Sequence, residues 1–170
     1  MTADFETWLN EVAPPDEIDP GVRPAGAERR LREIFDRRGP ISVQELRAEG
    51  QKIQLDLARD AVDLVLRDMR ATTKAAPNID LRLDNVYGLI VSYNGGFTTP
   101  AMMSMHNPEA TREIADYLQG QIMEDSAVWT AWPTCATHRN GLYAQVHEDV
   151  AVWYCRTGNH PVAAIGQLAP

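Results

Sequence analysis

Cysteine is scarce in this chain, with two residues among 170, which excludes a disulfide-stapled scaffold. No uninterrupted run of about 18 apolar residues occurs, so no segment reads as a membrane-spanning helix. The phosphate-cradling patterns G-x-G-x-x-G and G-x-x-x-x-G-K are missing. Ser92, Ser104 and Ser126 all lack a G-x-S-x-G context, so no nucleophile elbow is present. Residues 3–12 are acidic and interrupted by Trp8 and Asn10, unlike a signal peptide. These absences predict a cytosolic protein whose two cysteines serve as thiols or metal ligands.

What is present is an acidic chain of net charge −8, unevenly distributed. Residues 1–25 carry a net −5, residues 26–76 a net +2 and residues 77–170 a net −5. Such an exterior repels phosphate backbones over about 8–10 Å, which disfavours nucleic acid as a partner. Only the middle third could approach one, and its cations stand among carboxylates. The charge mixture there is that of a solvated helical face.

Periodicity divides the chain into an acidic helix with a proline-rich linker (1–26), a helical unit (27–76), a β-meander with one helix (77–127) and a β-ribbon tail (128–170). Phe5, Trp8, Leu9 and Val12 recur at helical spacing. Residues 13–26 hold Pro14, Pro15, Pro20 and Pro24 and read as a tether. A helix over 27–38 ends at Gly39-Pro40. The Ser42/Glu45 capping box opens a short second helix that Glu49-Gly50 should stop, and a third spans 55–71. The period then shortens to 2 over 79–83 and 86–93, with Asn94-Gly95 predicting a hairpin into a strand over 97–105, where Pro100 marks an edge. Asn107 and Pro108 predict the N-cap and first turn of a further helix. A final hairpin is expected around His147-Glu148-Asp149. The fold class is therefore α+β, with a winged-helix-like N-terminal unit, an antiparallel meander carrying one packed helix, and a small C-terminal ribbon.

The most specific chemical pattern is Cys135-Ala-Thr-His138 followed by Cys155-Arg-Thr-Gly-Asn-His160. Each gap lets one turn aim two side chains at a common ion, and two turns joined by a hairpin supply the four N/S donors of tetrahedral zinc. Gly158 should provide the positive φ that the second turn needs. His147 is a weaker substitute ligand. Catalytic zinc would need an open position and a carboxylate base, and Glu148 and Asp149 stand at a hairpin tip instead. Two buried cysteines with turn-capping histidines would give the same spacing without metal. Met102, Met103, Met105 and His106 could be soft copper ligands, but read better as an edge strand packing methionines.

Trp132-Pro-Thr-Cys135-Ala-Thr-His138, Trp153-Tyr-Cys155 and the closing Val162-Ala-Ala-Ile165-Gly-Gln-Leu168 resemble a family of small bacterial proteins of unassigned activity. The resemblance covers about residues 110–168, a third of the chain. It implies a zinc-ribbon-like tail with Cys135, His138 and Cys155 as ligands and His160 as the fourth, and it transfers no catalytic residue.

The sequence thus reads as a non-enzymatic cytosolic adaptor with a structural zinc ion and a protein partner, met through the acidic arm or the strand over 97–105. The alternative is a winged-helix DNA-binding regulator, presenting Gln51, Lys52, Gln54 and Arg59 beside Asp56 and Asp60. A zinc-dependent enzyme ranks below both.

Overall fold

The computed structural model describes residues 4–12, 27–84, 87–98, 104–125 and 131–169. The proline-rich linker, Pro100, Met102, Met103 and Ser126 lie outside the described residues. Ten elements are described: α1 (Phe5–Val12), α2 (Ala27–Arg38), α3 (Val43–Thr72), β1 (Ile79–Asp84), β2 (Gly88–Tyr93), β3 (Gly96–Thr98), α4 (Asn107–Glu124), β4 (Tyr143–His147), β5 (Val150–Cys155) and β6 (His160–Ala164). The α+β order read from the sequence is the one observed.

α1 packs on its own chain. Phe5, Trp8 and Leu9 are buried against Leu31, Phe35, Ile41 and Leu46, and Trp8 Nε1 donates to the Ile41 carbonyl at 2.8 Å. Of the two partner surfaces the sequence offers, this arm thus has its apolar face already used on its own chain.

A correction concerns the break expected at Glu49-Gly50. The capping box forms, with Ser42 accepting from the Glu45 N–H and Glu45 reaching back to the Ser42 N–H, but α3 then runs unbroken for 30 residues. A helical glycine costs only about 1 kcal/mol, which a helix of this length absorbs. Glu49 pairs with Arg37 and Arg38 across the turn, and a Cβ on Gly50 would lie 3.1 Å from Met105 Cε, so the glycine admits a packed neighbour. The separate second and third helices of a winged helix are thus fused.

Both sheets are antiparallel meanders, ordered β1-β2-β3 and β4-β5-β6. The Asn94-Gly95 hairpin forms as expected, both residues having positive φ (49° and 84°), the twist that two-residue turns require. Glu148-Asp149 closes β4–β5 in the same way (49° and 62°). Of the strand expected over 97–105, Phe97 and Thr98 lie in β3, residues 99–103 lie outside the described residues, and Ser104 and Met105 are not in a strand. α4 begins one residue earlier than its anticipated cap, with His106 at the N-cap and Asn107 inside, where it accepts from the Thr111 hydroxyl.

One apolar cluster joins α3 (Ala58, Val65, Met69), β2 (Val91), α4 (Ile114, Leu118, Ile122) and the C-terminal ribbon (Trp132, Leu142, Trp153, Ile165). The ribbon does not build a core of its own. It completes that of the two long helices.

Candidate metal centre

Four side chains converge where the loop before β4 meets the β5–β6 turn. The ligand atoms of Cys135, His138, Cys155 and His160 all lie within 4.8 Å of one another, so the group could hold a metal ion. His138 Nδ1 stands 3.4 Å from both sulfurs, and His160 Nε2 lies 3.9 Å from Cys135 Sγ. Both cysteines are buried and both histidines half-buried.

Local backbone geometry explains the convergence. After Cys135 the chain turns tightly, the Arg139 N–H donating to the Cys135 carbonyl at 2.7 Å while Arg139 takes a positive φ of 55°. A bridge between Thr134 and Gly141 closes the base of this turn. The second turn is fixed by the Cys155–His160 pairing of β5 and β6. Asn140 Nδ2 donates to Thr157 Oγ1 at 2.9 Å and ties the two turns together.

The surroundings of Cys135 favour its thiolate, the form of cysteine that binds metal. The backbone N–H of His138 does most to lower the Cys135 thiol to about 6, helped by the His138 side chain, the Thr137 N–H and Cys155, with burial opposing. Gly158 N–H points at Cys155 Sγ, 3.4 Å away. His160 Nδ1 lies 3.0 Å from the Pro161 carbonyl, which can only accept. The proton of a neutral His160 is thus held on Nδ1, leaving the Nε2 lone pair to face the cluster.

Gly158 has a different role from the one expected. The positive φ of the second turn belongs to Asn159 (49°), whereas a Cβ on Gly158 would sit 2.2 Å from His138 Cε1 and 2.7 Å from His160 Cδ2. The glycine clears space for both imidazoles. His147 is not a member of the cluster and stacks at 6.0 Å on Tyr154.

Residues that sequence reasoning missed hold the centre in the fold. Asp68, fully buried on α3, accepts from Trp153 Nε1 (2.6 Å) and from the backbone N–H groups of Gly166 (2.7 Å) and Leu168 (2.8 Å). Gln119 on α4 donates to the carbonyls of Trp132 and Leu142, the segments flanking the first turn. Trp132 and Trp153 pack edge to face at 5.5 Å. The available signal was Asp68 itself, an acid on the stripe that Ala61, Val65 and Thr72 share. No family model matches the chain, and no curated protein or solved structure matches it either.

Proposed function

We propose that Cys135, His138, Cys155 and His160 bind one structural zinc ion in a non-enzymatic cytosolic protein that acts by binding another protein. The separation of the donors carries this reading. Zinc bonds of about 2.3 Å to sulfur and 2.0–2.1 Å to nitrogen, at tetrahedral angles, place S and N donors about 3.6 Å apart, close to the 3.4, 3.4 and 3.9 Å observed. Four protein donors fill the tetrahedral shell and leave no position for substrate, which favours a structural over a catalytic ion. The C-terminal resemblance to small bacterial proteins with a zinc-ribbon-like tail belongs to the same reading.

No described helix is long and apolar enough to cross a membrane. Tyr143, Val150 and Val162 leave apolar surface exposed on the ribbon, in keeping with a protein partner. DNA reading is the weaker alternative, because fusion into α3 puts Gln51 and Lys52 inside a helix rather than at its start, and Asp56 already pairs with Arg59.

Elemental analysis of reduced protein purified from zinc-replete cells tests the reading. The expected result is one zinc per chain, lost in Cys135→Ser and Cys155→Ser. Protein that folds and retains no metal would overturn it.

A further inference from the structure

A cleft of about 350 Å³ opens between the start of α4 and the β5–β6 side of the ribbon. Its walls include the apolar side chains of Leu64 from α3, Pro108 from α4 and Val150 and Ile165 from the ribbon. Besides Asn107 and Thr111, which hydrogen-bond to each other, His106 and Asp149 line the cleft. His106 Nδ1 is hydrogen-bonded to the Glu109 carboxylate one turn into α4. An ionised carboxylate only accepts, so the neutral imidazole carries its proton on Nδ1 and presents the Nε2 lone pair. Asp149 Oδ1 lies 3.9 Å from that Nε2, beyond hydrogen-bonding distance. The Glu148-Asp149 turn, with Asp149 at φ 62°, sets the backbone from which this carboxylate projects, and its side chain is 80% exposed.

Two acceptors at this separation can both be reached by one donor about 2.8–3.0 Å from each. We propose that the cleft binds a primary ammonium group on a short apolar stem, as in an alkylamine or a lysine side chain. The ammonium sits between His106 Nε2 and the Asp149 carboxylate, and the stem lies against Pro108 and Val150. An ammonium has three N–H donors and no acceptor, so it satisfies both groups and keeps one proton for water. Net charge favours this ligand, since residues 77–170 carry −5. Glu109, in the first turn of α4, offsets the positive end of that helix, which would otherwise repel a cation. None of the four metal-centre residues takes part, so this site stands or falls separately from the zinc reading.

The test is titration of the full chain, followed by amide chemical shifts, with n-pentylammonium, neutral 1-pentanol and Nα-acetyl-lysine amide. The expected result is a saturable shift of cleft residues by an ammonium probe, at least about tenfold tighter than by pentanol, weakened at least about tenfold in Asp149→Asn and in His106→Gln. Asp149→Asn keeps the fold in any case, because asparagine tolerates the left-handed turn. Binding of the lysine amide identifies a protein lysine as the source of the ammonium, and binding of pentylammonium alone identifies a free amine. Either outcome upholds the site. Equal binding of pentanol, binding unchanged in both variants, or no saturable shift with either ammonium probe overturns it.

Discussion

Asp68 and Trp153, 85 residues apart in sequence, are joined by a 2.6 Å hydrogen bond between two fully buried side chains. The same carboxylate takes the N–H groups of Gly166 and Leu168, so a single side chain of α3 holds both the strand that bears Cys155 and the segment beyond β6. Gly166 makes that approach possible. Its φ is +93°, and a Cβ there would lie 2.5 Å from Leu64 Cδ2.

Asp68→Ala leaves two buried donors and one half-buried donor unmatched, and the expected loss is about 3–5 kcal/mol in urea unfolding. Asp68→Asn keeps one acceptor oxygen and should lose less. A loss under about 1 kcal/mol for the alanine variant would show that the latch is unimportant.

Gly158→Ala should weaken metal binding by about 10–100-fold, the range typical of disturbed outer-shell partners, because the new methyl group collides with His138 and His160. Chelator competition measures this. The first turn, lacking such a contact at Ala136, should accept Ala136→Ser with affinity unchanged.

Trp8→Ala should release α1 without unfolding the larger core, since among the described residues Trp8 belongs to the smaller apolar cluster and not to the larger one. Hydrogen exchange should rise over residues 5–12 while protection of α4 stays as it was. Equal loss in both regions would mean that the two clusters unfold together.

Tyr93 donates to Asp125 at 3.2 Å, and burial, followed by the charge and hydrogen bond of Asp125, pushes its phenol up to about 12. Ionisation is thus harder in the folded chain than at the ordinary value near 10. Stability is intact below pH 10 and declines as the pH rises towards 12, while the unfolded chain releases a proton that the folded one keeps. Tyr93→Phe should flatten that alkaline decline, as followed by denaturant titration at pH 9 and 11.

The Cys/His cluster was legible because its signal is local: Cys-x2-His and Cys-x4-His each describe one turn that aims two donors the same way. Asn94-Gly95 and Ser42/Glu45 were legible for the same reason. The fusion of two helices at Gly50 was not, since a glycine inside a helix costs only about 1 kcal/mol and the approach of Met105 to it is not written in the local sequence. Nor was the purpose of Gly158, where the constraint comes from two rings in space rather than from its own φ. Asp68 shows the limit most clearly. Its partners lie 85 to 100 residues downstream, and only an acid among Ala61, Val65 and Thr72 hinted that something polar would arrive.

That span has a bearing on synthesis. α3 leaves the ribosome long before Trp153, Gly166 and Leu168 exist, so the Asp68 carboxylate lacks these three partners until the ribbon emerges. The nascent chain therefore passes through an interval in which it is helical yet unclosed. Removing the few residues around Leu168 would take one of its three donors from Asp68 and should lower the stability of the closed chain.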